Sequence, residues 1–150
     1  MPELLNTELV ESLATALDAM AFITLAPPEG PLLPPDEPVL VRIAFRGARS
    51  GRVELVASRG LGRMLLDNTL AHDPSDTLVM PNPDDALIEL ANVTCGVLLK
   101  RFADGARCEM SIPELYPFDA EREWDAFVAT GEADVVIADG SVVAIRAIGG

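Results

Sequence analysis

The stretch DDALIELANVTCGVLLKRF, residues 84–102, decides how the rest of the chain is read. Wound at about 100° per residue, it gathers Asp85, Glu89, Asn92, Gly96 and Lys100 within an arc of about 80°. Leu87, Ala91, Thr94, Leu98 and Phe102 lie opposite, flanked by Ile88, Cys95 and Leu99 on one side and Leu90, Val93 and Val97 on the other. A helix that is apolar over most of its circumference is a core element, and any polar stripe it keeps must reach water, a partner or a site. Residues 84–102 are therefore expected to form a largely buried helix with one working edge. On that edge Glu89 and Asn92 stand three apart, with Cβ atoms about 5–6 Å from each other. The pair sets a negative charge beside an amide that both donates and accepts hydrogen bonds. Gly96, one turn on, costs the helix about 1 kcal/mol and lets another backbone come close. Taken alone, Glu-x-x-Asn also fits the solvated edge of any core helix, so its setting matters.

Upstream, residues 73–84 carry Pro74, Pro81 and Pro83 and read as a loop that caps this helix, with Asp84 and Asp85 at its positive N-terminus. Leu61–Leu70 reads as a short helix. Val39–Arg46 and Arg52–Ser58, rich in Val, Ile, Leu and Phe, form a hairpin around Gly47-Ala-Arg-Ser-Gly51. Before them, residues 27–38 hold six prolines and one glycine, a stiff connector rather than helix or central strand. The chain opens with an amphipathic helix over Thr7–Phe22, capped by Asn6 or Thr7, with Leu9, Leu13, Ala16, Leu17 and Met20 on one face. Downstream come a strand near Ala106–Ile112, an unassigned acidic segment over Glu114–Asp125, and a hairpin of Phe127–Ala138 and Ser141–Ile148. Asp139-Gly140 is a type I′ turn signal for that hairpin, and Gly131 suggests a bulge. The fold class is α+β, with helices packed on an antiparallel sheet.

At 150 residues the chain is expected to be one domain over 1–150, large enough for a real core. Its formal net charge of -13 argues against nucleic acid and against anionic membrane surfaces as partners, since both attract basic patches. Cys95 and Cys108 make no C-x-x-C pair and are read as reduced packing residues. No basic leader precedes an apolar run, and no run approaches transmembrane length, so a cytoplasmic protein is expected.

Asp85-x-x-x-Glu89-x-x-Asn92 in a long helix, followed by a strand with Ser111-Ile112-Pro113, resembles the active-site pattern of the CheC and CheX response-regulator phosphatases. That pattern is an Asp or Ser, three residues, Glu, two residues, Asn, and a proline further along. The wider layout is similar too: a first helix ending near Asp18-Ala-Met-Ala-Phe22, a hairpin, a small helix with Leu61-Gly-Arg-Met-Leu65, and a final meander. Pro113 follows Asn92 more closely than in the pattern. CheC-type members carry a second Glu-x-x-Asn in the first helix, whereas here Glu8 meets Glu11 and Glu11 meets Ala14 at that spacing. One site per chain is the CheX-like arrangement.

The resemblance implies a CheC/CheX-like fold and a phosphatase acting on the aspartyl phosphate of a CheY-like receiver domain. It assigns Asn92 to orienting the attacking water and Glu89 to pairing with the partner's lysine. Asp85 would contact the partner or support the helix, and Gly96 is our own addition as a place of close docking. No cofactor of its own is implied, since the Mg²⁺ belongs to the partner regulator. A homodimer that joins sheets is also implied, and the Val- and Ile-rich hairpin over residues 127–148 looks like an edge that needs covering. The alternative is a catalytically silent docking module of the same fold, akin to the flagellar switch proteins.

Other motifs lead nowhere. Gly60-x-Gly62 lacks the third glycine of a dinucleotide loop and reads as a tight strand-to-helix turn. His72, the single histidine, lacks companions for a triad or a zinc site, and Ser50 and Ser111 have no base nearby in sequence.

Overall fold

The computed structural model describes residues 2–47, 49–70, 82–101, 108–129 and 133–149, with backbone alone for residues 2–6, 69 and 70. His72, Phe102 and Gly131 lie outside the described residues. The elements run α1 (Pro2–Ala21), β1 (Leu25–Ala26), β2 (Pro38–Gly47), β3 (Gly51–Ser58), α2 (Arg59–Leu70), α3 (Pro83–Lys100), β4 (Cys108–Met110), β5 (Glu114–Pro117), α4 (Ala120–Ala129), β6 (Ala133–Ala138) and β7 (Ser141–Gly149).

The strands form one seven-stranded sheet in the order β1-β6-β7-β3-β2-β4, every described pairing being antiparallel. Strand β5 also pairs β2, so β4 and β5 share one position along it, broken by Ser111–Pro113. Alternation sorts the side chains of the central strands. Val39, Val41, Ile43 and Phe45 of β2, Val53, Leu55 and Ala57 of β3, and Val143, Ile145 and Ala147 of β7 face α1, α2 and α3 in the main core. The other face carries Leu40, Val56 and Ala144, covered by Phe118 and by Trp124 and Phe127 of α4. The α+β class holds, with a further helix on the outer face.

Several boundaries differ from the sequence reading. α1 starts at Pro2, within the first turn where proline is tolerated, so Asn6 and Thr7 lie inside the helix rather than capping it. It ends on a left-handed residue, Phe22 (φ 57°). The Phe22 N–H donates to the Asp18 carbonyl, the 5→1 bond of an αL closure, and the Ile23 N–H reaches the Leu17 carbonyl beyond it. The acidic segment resolves into β5 and α4, and Phe127 belongs to α4, not to a strand. Asp119 caps α4, accepting from the Glu121 N–H, while Glu123 reaches back to the Asp119 N–H. The β6–β7 hairpin turns at Asp139 (φ 49°) and Gly140 (φ 84°), the two left-handed residues of a type I′ turn. The proline-rich connector between β1 and β2 is held by the Trp124 indole N–H, which donates to the Leu32 carbonyl at 2.9 Å.

Candidate functional site

α3 is placed by four devices at its ends. Asn82 caps it, its side chain accepting from the Asp84 N–H at 3.0 Å, and Pro83 takes the first helical position. Asp84 pairs with Arg59 at the start of α2, at 2.9 and 3.3 Å. At the same crossing Gly62 of α2 is buried, and a Cβ there would run into the Pro83 carbonyl. Gly62 thus serves close helix packing, which the bare strand-to-helix turn reading did not contain. At the far end Arg101, the C-cap, reaches α1, donating to Glu11 at 2.7 Å and to Thr15 at 3.4 Å.

Between these anchors the predicted wheel is the one observed. Ala86, Leu87, Leu90, Ala91, Thr94, Cys95 and Leu98 are buried, and the Thr94 hydroxyl is satisfied by the Leu90 carbonyl at 2.7 Å. Burial pushes the Cys95 thiol up to about 11, so it stays protonated and inert. Asp85, Glu89 and Lys100 are exposed, and Asn92 and Gly96 are half-buried. Asn92 makes no hydrogen bond among the described residues, and no buried side-chain N or O lacks a partner, so its amide ends at the surface. Ile88, Val93 and Leu99 pack half-buried on either side. The result is a polar pair in an aliphatic frame. A Cβ added at Gly96 would meet nothing within 4 Å, so the glycine leaves open space beside Asn92.

The proline of the motif stands apart from the helix in sequence and next to the sheet in space. Ser111 prolongs the β4–β2 pairing, its N–H donating to the Ala44 carbonyl at 2.8 Å and its hydroxyl oxygen accepting from the Ala44 N–H at 2.9 Å. Ser111 is therefore a pairing residue. Ile112 follows, 85% exposed, and then half-buried Pro113.

Residues 39–121 match the family described as chemotaxis phosphatase CheX, more than half of the chain. The chain belongs to the CheX family. Solved structures agree in fold: CheX from Vibrio vulnificus shares 20% identity and a TM-score of 0.67, over 96% of this chain and 95% of its own. A chain of the CheX–CheY–BeF3–Mg²⁺ complex from Borrelia burgdorferi shares 13% identity and a TM-score of 0.58, over 95% and 96%. FliY from Thermotoga maritima shares 16% identity and a TM-score of 0.58, over 94% and 84%. No curated protein matches in sequence. In this CheX-family chain, no described helix is long and apolar enough to cross a membrane.

The sequence reading passed over one polar cluster. Glu54, in the middle of β3, is 0% exposed on the outer face of the sheet. Arg42 of β2 lies opposite it on one side, and Arg146 of β7 on the other. Burial alone would push the Glu54 carboxyl up, but hydrogen bonds and charge from Arg42 and Arg146 outweigh it and hold it below the usual value. The signal was available. Period-two alternation on both sides of the Gly47–Gly51 turn places Arg42 and Glu54 on one face as a cross-strand pair.

Proposed function

We propose that this chain is a phosphatase that hydrolyses the aspartyl phosphate of a CheY-like response regulator. The observation that carries the reading is the juxtaposition on α3. Glu89 and Asn92 share an exposed edge of a helix buried elsewhere, neither has a partner among the described residues, and Gly96 leaves open space beside them. Family membership and the fold shared with a protein solved bound to CheY support it.

The chemistry asked of the chain is small. The regulator's own Mg²⁺ and lysine already neutralise the phosphoryl oxygens. The phosphatase supplies position: the Asn92 amide holds a water in line with the phosphorus, converting a chance encounter into an oriented attack. The water oxygen bonds to phosphorus, the bond to the aspartate oxygen breaks, and inorganic phosphate leaves a free carboxylate. Glu89 pairs with the regulator's lysine and fixes the register, Asp85 supports the start of the helix, and Gly96 lets the receiver domain approach. The chain acts as a homodimer in this reading, since β1 pairs β6 only at Ile137 and Ala138 and the rest of that edge has no strand partner among the described residues. Light scattering is expected to give twice the monomer mass.

The FliY likeness favours one rival, a docking module that binds regulators without hydrolysing anything. Single-turnover dephosphorylation of an acyl-phosphorylated regulator, run beside a binding titration with its beryllofluoride form, separates the two. Asn92→Ala is expected to abolish most of the rate gain with binding nearly intact, since its hydrogen bond matters chiefly in the transition state. Glu89→Ala is expected to weaken binding as well, by about 2–5 kcal/mol, because it strands the partner's charge. A regulator that binds tightly yet loses phosphate no faster than alone makes the chain a docking module.

A further inference from the structure

Away from α3, between α4 and the outer face of the sheet, lies a cleft of about 410 Å³, within the size range of small-molecule sites. Its base is the Glu54 cluster. The Arg42 Nε and Nη2 lie 2.8 and 2.7 Å from Oε2, and the Arg146 Nε and Nη2 each lie 2.8 Å from Oε1. The Arg52 Nε is a third cation, 3.9 Å from Oε1. Three guanidiniums therefore surround one carboxylate whose oxygens are already taken, and Arg122 of α4 lines the same cleft with an 87% exposed side chain. Glu123, the other acid of the lining, is drawn back to cap its helix. In a chain of net charge -13, three of the eleven Lys and Arg residues line this concavity, Arg122 with Asp119 3.7 Å away.

Stability does not explain the arrangement. Buried ion clusters are often no more stabilising than apolar side chains of the same volume, and the same face is apolar one row away at Leu40, Val56 and Ala144. The cluster does fix two guanidinium planes. Arg42 lies over the Tyr116 ring at 5.1 Å and Arg146 over the Phe127 ring at 4.1 Å. Each spends its Nε and Nη2 on Glu54. With 39% and 18% of their side chains exposed, Arg42 and Arg146 still present cationic guanidinium surface to a carboxylate or phosphate oxygen, and Leu40, Phe118 and Phe127 give the cleft an apolar wall beside them.

We propose that this cleft binds a small organic anion, its phosphate or carboxylate group held by Arg42, Arg122 and Arg146 and its apolar portion laid on Leu40, Phe118 and Phe127. The proposal is independent of the phosphatase reading, since no residue of the α3 edge takes part.

The test is titration of the full chain with phenyl phosphate and with benzoate to millimolar concentration. It is followed by the NMR signals of the arginine Nε–H groups and the indole N–H of Trp124, the chain's only tryptophan. At least one of the two probes is expected to saturate, and which one does assigns the anion as phosphate or carboxylate. Phenol and inorganic phosphate, each carrying half of the recognised chemistry, are expected to bind at least about tenfold more weakly. Arg122→Glu sits at the exposed rim, where it leaves folding intact, and is expected to cost about tenfold or more in affinity. Equal weak binding of all four compounds overturns the proposal, as does an Arg122→Glu protein with unchanged affinity.

Discussion

On the outer face of the sheet Glu54 is enclosed and both of its oxygens are taken by arginine, whereas on the helical layer Glu89 stands exposed with no partner among the described residues. The first carboxylate is built into the fold, and removing it takes the internal partner from Arg42 and Arg146. The second is an unspent group, and removing it takes away something only a second molecule would use. The contrast separates a residue whose partners lie within the chain from one that the chain presents.

Unfolding experiments are the direct way to break the contrast. Glu54→Ala, which removes the charged hydrogen bonds from Arg42 and Arg146, is expected to cost about 1.5–3 kcal/mol in urea unfolding, and a loss under about 1 kcal/mol would put Glu54 in the same class as Glu89. The same network has a pH signature. The folded Glu54 carboxyl lies below its unfolded value, so its contribution is complete above the ordinary glutamate range near about 4.3 and is lost as pH falls through the folded value. Wild type should accordingly lose more stability on acidification than Glu54→Gln, as unfolding curves taken at neutral and acid pH will read.

Next in size is Gly62→Ala, expected to cost about 1–3 kcal/mol because the methyl meets the Pro83 carbonyl where α2 crosses α3. Gly96→Ala, one glycine away on the presented edge, is expected to reverse the sign and raise stability by up to about 1 kcal/mol, since it gains helix propensity and meets no neighbour. Gly96→Leu should leave the fold intact and weaken regulator binding. Glu89→Ala closes the series at about ±0.5 kcal/mol in stability.

How much of this could be read beforehand follows from the length and sharpness of each signal. α3 was legible because its apolar positions recur over five turns and leave one clean stripe, so the exposed Glu89 and half-buried Asn92 fall where the wheel put them. α4 was not. Its ten residues have only Trp124 and Phe127 as buried anchors, scattered among acids that look like loop. β1 has two residues and owes its existence to pairing with Ile137 and Ala138, a long-range contact with no local pattern. The Glu54 cluster was missed for a different reason: each of its charges sits in a strand that reads as apolar, and only strand register brings them together.

The way α3 is clamped bears on the entropy of any encounter at its edge. It is held at Asn82 and Pro83, crossed tightly by α2 at Gly62, and tied at Arg101 to α1, with its buried face in the main core. The backbone under Glu89 and Asn92 is therefore already in its final conformation, and its amides should exchange with solvent only as slowly as the core opens. A partner docking on this edge has no α3 backbone left to order. It freezes a few side-chain rotors, at about 0.5–1.5 kcal/mol each, so that most of the interaction energy is left to set the lifetime of the complex.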